Sequence, residues 1–291
     1  MKISLKQLEV FIAVAKEGNM SRAAINIHLS QPACSMALAE LENSLEGSLF
    51  DRKGKQLILN DRGRLLLPRA MTVISEVREI SDVLASNEEK IMGHLIVGAS
   101  TTIGNYLLPQ IVGNFINTHQ KTKISLQIGN TQQIIEKLLR FDIDLGMIEG
   151  NCNVNEIEVI PWRIDKLLIV ASSRHSLAKK RKIKLQDLLD TRWILRESGS
   201  GTREKFEEAI GYKIEPFLEL EQTEAIKQAV QAGLGISCLS EITVSEALKS
   251  KKLIELKTPF LKLTREFYIL RHKEKYHTML LGNFITHCSN F

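Results

Sequence analysis

The sequence predicts an α+β chain of several domains: a helical N-terminal third with a small β hairpin, one long helix, and a C-terminal α/β region. Three patterns predict this. Apolar residues recur three and four apart over the first helices, a four-three seam runs from Leu66 to Leu84, and strand-like and helix-like segments alternate from Gly93 onward. A length of 291 residues suits two or three domains. With 44 % hydrophobic and 25 % charged residues, the chain has the composition of a globular protein with a core.

Leu5, Leu8, Phe11 and Ala15 place one apolar face on a first helix. Gly18-Asn19-Met20-Ser21 breaks that pattern, and Ser21 is expected to cap a short second helix over 22–27. Ser30 is expected to cap a third, with Gln31 and Pro32 in its first turn, where proline's missing N–H costs little. Cys34, Leu38, Leu41 and Leu45 form the buried stripe of that helix. In the following DRKGKQLILN, Gly54 reads as a turn and 56–59 as a strand that pairs back, a small β wing. A long helix is expected over 61–89. Its residues Leu66, Ala70, Val73, Val77, Ile80 and Leu84 form a coiled-coil seam, with Pro68 as a candidate kink.

Helix, short helix, turn, helix and basic wing is a winged helix-turn-helix, whose third helix enters the DNA major groove N-terminus first. With the apolar stripe facing inward, Gln31, Pro32, Ser35 and Met36 face outward. Gln31 and Ser35 offer hydrogen bonds to base edges, and Pro32 and Met36 offer apolar surface to thymine methyls. Ser21, Arg22 and Ser30 join these as candidate DNA contacts. Residues 1–90 carry 12 basic and 12 acidic side chains, but residues 50–69 carry six basic (Arg52, Lys53, Lys55, Arg62, Arg64, Arg69) and two acidic (Asp51, Asp61). Arg52, Lys53 and Lys55 of the wing are therefore the candidate phosphate contacts. A generic helical domain with a solvated basic loop would produce the same composition.

From Gly93 onward, strands are expected at 95–99, 124–128, 144–148, 167–171, 193–195, 217–220 and 235–239. Helices are expected at 106–118, 132–139, 202–210 and 223–232. This order argues for α/β sheets with right-handed crossovers.

The motifs from the first helix to the wing resemble the LysR-type transcriptional regulator family. Leu8 with Phe11, Ser21 with Ala23-Ala24, Ser30-Gln31-Pro32-Ala33 with Ser35, Leu41-Glu42, Leu49-Phe50 with Arg52, and Gly63 follow the family pattern. Cys34 stands where the family usually has valine, Glu46-Gly47 replaces Leu-Gly, and Asn60-Asp61 replaces the usual threonine. The resemblance implies three domains: a winged helix-turn-helix over 1–60, a linker and dimerisation helix over 61–90, and an effector-binding domain over 91–291 resembling periplasmic-binding-protein lobes. The crossovers between lobes are expected near 161–165 and 262–265. Lobe one then spans about 92–162 plus 266–291, and lobe two about 163–265. Operator duplex DNA and a homodimer or homotetramer follow as partners, RNA polymerase stands open as another, and the expected location is cytoplasmic.

Ligands of such sheets bind beyond the carboxyl ends of the strands, between the lobes. The residues there are Ser100, Thr101, Thr102, Asn130, Glu149, Arg196 and the stretch Ser198-Gly199-Ser200-Gly201-Thr202. Hydroxyls, free backbone N–H groups and helix N-termini suit a small anion. Glu149 and Glu197 oppose one, unless they face elsewhere or meet a cationic part of the ligand. Hydroxyl residues also cap helices without any ligand. RESGSGT, STTIGNYLLP, IEG and EAIKQAVQAGLGISCLS resemble a branch of the family that includes YeiE- and CysL-like regulators of sulfur metabolism and CbbR-like regulators of carbon fixation. That resemblance implies an oxyanion such as sulfite or sulfate, or a small phosphorylated or carboxylate metabolite.

Other functions find less support. Gly199-Ser200-Gly201 is no G-x-S-x-G elbow, the 199–203 stretch lacks a P-loop lysine, and Gly233-Leu234-Gly235 lacks the third dinucleotide-site glycine, so no catalytic residues are assigned. The cysteines (Cys34, Cys152, Cys238, Cys288) form no C-x-x-C and the seven histidines no close ligand pair, so neither metal nor cofactor is expected. No run approaches the length of a membrane span. A small-molecule solute-binding protein without a DNA role is the alternative; the N-terminal motifs and the lack of a signal-peptide pattern weigh against it.

Overall fold

The computed structural model describes residues 3–54, 56–84 and 91–291. It divides into two compact units, Met1–Gly93 with Lys273–Gly282, and His94–His272 with Asn283–Phe291.

The first unit begins with α1 (Leu5–Glu17), α2 (Met20–Asn26) and α3 (Gln31–Ser44), followed by β1 (Phe50–Lys53), β2 (Gln56–Leu59) and α4 (Asp61–Leu84). Ser4 and Gln7 form a capping box on α1, and Gly18 ends that helix at φ 59°, a conformation costly for a side chain. The second helix starts earlier than the sequence suggests. Asn19 caps it, its carboxamide oxygen accepting from the N–H groups of Ser21 and Arg22, so Ser21 lies in the first turn. The amide of asparagine reaches the same orphan donors that a serine hydroxyl would. Ser30 caps α3, which buries Cys34, Leu38 and Leu41. Ala23 and Ala24 are small enough for α2 to approach its neighbours closely, and Phe11 meets Phe50 at 5.6 Å between ring centroids.

β1 and β2 form the antiparallel wing, with Phe50 opposite Leu59 and Lys53 opposite Gln56. α4 runs on through Pro68 and packs on α1, burying Leu67, Ala70 and Ile74. Asn60 explains the departure at its start: its side-chain oxygen accepts from the Gly63 N–H at 2.9 Å, the bond a capping threonine would make. A Cβ on Gly63 would lie 2.2 Å from the Leu49 carbonyl oxygen, so this turn admits only glycine. Of the seam residues, Val73 and Ile80 are exposed and Ala70 is buried. The expected 85–89 end of the helix and the side chain of Leu84 lie outside the described residues.

The second unit continues with β3 (Gly93–Ser100), α5 (Thr101–Tyr106), α6 (Leu108–Thr118), β4 (Thr122–Gly129), α7 (Thr131–Leu139), β5 (Leu145–Glu149) and β6 (Ile157–Ser172). Then come α8 (Leu185–Leu189), β7 (Ile194–Leu195), α9 (Gly201–Ile210), β8 (Leu218–Glu219), α10 (Thr223–Gln231), β9 (Ser237–Ser240), α11 (Glu241–Lys249), β10 (Leu253–Glu255), β11 (Thr264–His272) and α12 (Met279–Asn290). The helix expected over 106–118 is α6, which starts at Leu108 with Pro109 in its first turn, and a further short helix, α5, precedes it directly after β3. β3 pairs parallel with β5, but β11 runs antiparallel to both β5 and β6, so the sheet is mixed rather than wholly parallel.

β6 is the element that shapes the cleft. Residues 157–166 pair with β11, while 167–170 pair with β9 and 170–172 with β10, so one strand passes from one sheet into the next. Each lobe has its own core. Phe115 meets Phe284 edge-on at 5.2 Å in the first, and Trp193 lies 4.3 Å from Phe206 in the second. Each such aromatic contributes about 1.5–3 kcal/mol by burial. Cys34, Cys238 and Cys288 are buried and all four thiols are free; burial pushes Cys238 and Cys288 up to about 12, which leaves them unreactive.

Candidate functional site: the interlobe cleft and the recognition helix

β3 ends at Ser100, β4 at Gly129 and β5 at Glu149, and each leads toward the start of α9 in the other lobe. The candidate cleft residues are brought together, and most of their polar groups bond to one another. The Arg196 guanidinium donates to Thr101 Oγ1 at 3.1 Å and, twice at 2.8 Å, to the carboxylate of Glu197. Asn130 Nδ2 donates to the Ser198 carbonyl, and the Gln132 N–H donates to the Gly199 carbonyl. Gly201 touches β5 so closely that a Cβ there would lie 1.9 Å from the Glu149 carbonyl oxygen. That oxygen also accepts from Thr131 Oγ1 at 2.7 Å. The 196–202 turn of lobe two is therefore seated directly on three strand ends of lobe one.

Glu149 is the last residue of β5 and is buried. Oε1 accepts from the Thr102 N–H at 2.8 Å, and Oε2 accepts from Thr202 Oγ1 at 2.9 Å and from Arg265 Nη1 at 2.5 Å. Burial opposes its charge, but Arg265 and the hydrogen bonds of Thr102 and Thr202 outweigh it and hold the carboxyl at about 2. So the helix-start donors that suit an anion hold one already, from the protein itself. Arg265 also donates through Nε to Asp165 at 2.7 Å, and Asp165 accepts from Ser240 Oγ at 2.8 Å. Burial pushes the Asp165 carboxyl up despite Arg265.

The pattern of the sequence does not point to Asp165, Ser240 or Arg265 as site residues. A signal did exist for two of them, since Asp165 and Arg265 are the charged residues at the ends of the two expected crossovers. Buried charge where two strands pass between lobes has to be paired.

Two hydroxyls stand apart from this network. Ser100 and Ser200 are the N-cap residues of α5 and α9, both are 2 % exposed, and neither caps its helix with its side chain. Among the described residues Ser100 Oγ is buried without a hydrogen-bond partner. A neutral donor left unsatisfied costs about 1–3 kcal/mol, which a ligand oxygen would recover.

In the first unit, Ser21, Arg22, Ser30, Gln31, Pro32 and Met36 are exposed, Ser35 is half-buried, and Arg52 and Lys53 project from the wing without an ion pair among the described residues. Lys55 lies outside the described residues. Arg62 and Arg64 are occupied differently, donating to the carbonyls of Leu45 at 2.5 Å and Leu59 at 2.6 Å. Among the described residues no cluster of three or more His, Cys, Asp or Glu is placed to hold a metal, and no helix is long and apolar enough to cross a membrane.

A winged helix-turn-helix joined to a two-lobed domain with a polar cleft defines a DNA-binding transcriptional regulator with an effector-binding domain. The chain belongs to the LysR family: the bacterial regulatory helix-turn-helix protein, lysR family, matches residues 5–64, and the LysR substrate binding domain matches residues 88–291. It is 39 % identical to the HTH-type transcriptional regulator YeiE of Escherichia coli, covering 99 % of this chain and 98 % of that one. Full-length OxyR from Pseudomonas aeruginosa, in a variant form, shares the fold at a TM-score of 0.76 and 21 % identity, covering 99 % of this chain and 97 % of that one. The regulatory domain of Synechocystis CcmR, in complex with 2-PG, matches at a TM-score of 0.62 and 28 % identity, covering 68 % of this chain and 97 % of that one.

Proposed function

We propose that this regulator binds operator DNA as a homo-oligomer and changes its grip when a small anion enters the cleft. The domains of this reading are 1–60 for DNA, 61–90 for dimerisation and 91–291 for the effector. In the first, Ser21, Arg22, Ser30, Gln31, Pro32, Ser35 and Met36 meet the operator, with Arg52, Lys53 and Lys55 on phosphates. In the cleft, Ser100, Thr101, Thr102, Asn130, Arg196 and the 198–202 turn surround the effector, and Glu149 forms the wall. The observation that carries the reading is the buried, unpartnered Ser100 hydroxyl at the start of α5, within the region that matches the LysR substrate binding domain.

The cleft's own charges narrow the effector. Arg196 is matched by Glu197, and Arg265 by Glu149 and Asp165, which leaves no spare cation among the candidate residues. A compact oxyanion such as sulfite or sulfate, or a small carboxylate or phosphate, bound by hydroxyls and N–H groups suits this set better than a ligand that needs an arginine clamp. Bound between lobes, it would favour one lobe arrangement, and that differential affinity can shift the DNA-binding state.

Calorimetry with sulfite, sulfate, phosphate and small carboxylates on wild type and Ser100→Ala is the test. Binding of one of them by wild type, weakened about fivefold to 150-fold in the variant, is expected from losing one hydrogen bond at about 1–3 kcal/mol. Equal binding by both proteins, or none by wild type, would rule out the anion cleft as drawn.

A further inference from the structure

Lobe two carries a charged surface that neither the cleft nor the helix-turn-helix accounts for. Residues 173–184 hold Arg174, Lys179, Lys180, Arg181, Lys182 and Lys184 and not one acidic side chain; residues 249–252 add Lys249, Lys251 and Lys252, again with no acid. These nine cations exceed the formal net charge of +5 on the whole chain. Every one of them is exposed, and the ion pairs of the described residues include just one of the nine, Lys180 with Asp187 at 2.6 Å.

The two segments lie together. β10 pairs with the end of β6 so that Leu253 faces Ser172, which sets Lys252 beside the turn that carries Arg174. Leu177 and Ile183, buried within the first segment, share one core cluster with Leu256 just beyond the second. These apolar anchors hold the cations outward on a folded surface rather than on a loose tail.

We infer that this face of lobe two is a second binding surface for the phosphate backbone of duplex DNA, separate from the helix-turn-helix. The inference rests on the reading of the chain as a DNA-binding regulator. Its chemistry is that of a backbone contact: dense unpaired lysine and arginine, which gain affinity by displacing counterions from DNA. It is not that of a protein interface, which needs an apolar centre and is depleted in lysine. Here the large apolar side chains between the cations point inward, and lysine supplies seven of the nine charges. Such contacts carry no sequence information, so the face would add grip and positioning beside the operator bases rather than specificity.

The test uses the full chain and duplexes long enough to extend well beyond the operator. One variant carries Lys179→Gln, Arg181→Gln, Lys182→Gln and Lys252→Gln; a control removes four exposed cations elsewhere, Lys121→Gln, Lys123→Gln, Arg140→Gln and Lys213→Gln. Affinity is measured from low to high salt on operator and scrambled duplexes. The first variant should show a slope of log K against log salt shallower by about 0.9 for each phosphate it no longer neutralises. It should weaken both duplexes by the same factor, while the control stays close to wild type. A patch variant with the wild-type slope overturns the inference, and would point the face toward an acidic protein instead. So does a control that weakens as much as the patch variant, since general charge would then explain the effect. A wild-type chain that binds neither duplex would remove the DNA-binding reading itself, a result distinct from either.

Discussion

Arg265 and Glu149 form an ion pair, Nη1 to Oε2 at 2.5 Å, in which the side chains are 1 % and 3 % exposed. Glu149 ends a strand of lobe one, Arg265 begins the strand that returns from lobe two, and Thr202 Oγ1 of lobe two touches both. One buried cation thus binds the strand end, the crossover carboxylate of Asp165 and the start of α9 into a single unit. The residues proposed to hold the effector lie against that unit, so their geometry depends on charges the effector need not touch.

Removing the arginine should cost more than removing either carboxylate. Arg265→Met leaves two buried carboxyl groups without their cation, and breaking a buried pair in this way costs about 3–5 kcal/mol. Glu149→Gln keeps hydrogen-bonding atoms for Thr102 and Thr202 and should cost less. Acid resistance separates them further. The Glu149 carboxyl sits at about 2 against its ordinary 4.5, so its contribution is complete above 4.5 and is lost as pH falls toward 2. Asp165 is shifted the opposite way and does not add to that loss. Thermal unfolding from pH 6 down to pH 3 should therefore fall less steeply for Glu149→Gln than for wild type; parallel curves would show that Glu149 does not carry the acid sensitivity.

Gly201→Ala tests the seating of lobe two on β5. A methyl group would lie 1.9 Å from a backbone oxygen, which cannot swing away as a side chain could. Overpacking of this kind costs about 1–3 kcal/mol, and relief requires α9 to withdraw from the strand end. The variant should unfold at a lower temperature and lose its response to the effector while keeping its basal affinity for the operator. Wild-type response in a variant of wild-type stability would contradict this close approach.

Tyr106 joins the lobes at a second place. Its hydroxyl donates to Glu224, whose carboxylate also accepts from Lys227 at 2.7 Å, and the Lys227 ammonium sits 5.8 Å from the tyrosine ring. Burial pushes the Tyr106 hydroxyl up, helped by Glu224, so it remains a donor at every physiological pH. Tyr106→Phe deletes that bond and keeps the ring. Because Glu224 is mostly exposed, the expected effect is modest, about threefold to tenfold in effector affinity, or roughly 1 kcal/mol. Hydrogen exchange should rise in α5 and α10 of the variant, and unchanged exchange there would argue that the bond does not restrain the lobes.

These residues show where the sequence was legible. Local periodicity placed the recognition helix, its Ser30 cap and the wing, because each depends on neighbours within a few residues. The strand ends carrying Ser100, Asn130 and Arg196 could be read for the same reason. Strand β11, α12 and the first half of β6 did not stand out. Their partners lie far away in sequence, with Arg265 opposite Asp165, and no local period records such a pairing. The internal occupation of the helix-start donors by Glu149 was hidden for that reason as well. The residue was visible as a misplaced negative charge, but its cation comes from 116 positions away.

The exposed apolar side chains of α4 predict its partner. Val73 and Ile80 are seven residues apart, hence on one face, and are 39 % and 59 % exposed in the single chain. Val73→Lys with Ile80→Lys should shift the protein toward monomer in sedimentation and weaken operator binding in parallel. A double variant that sediments as wild type and binds with wild-type affinity would show that this face does not form the dimer.

The division of labour within the helix-turn-helix can be read from salt. Gln31 is exposed in the first turn of α3, with Ser35 half-buried one turn on, so both can reach base edges. Arg52 and Lys53 sit on the wing with their side chains exposed to solvent. Gln31→Ala should cost about 1–3 kcal/mol on the cognate operator and relax preference at one position, because a side chain that reads a base favours the right base alone. Arg52→Ala should weaken every duplex by a similar factor and lower the salt slope by about one, because the phosphate backbone is the same at every sequence. The roles separate only if both measurements are made on each variant, with binding to a panel of single-base operator changes at several salt concentrations. If Arg52→Ala altered base preference and left the slope intact, the wing would be reading sequence and the phosphate grip would have to lie elsewhere.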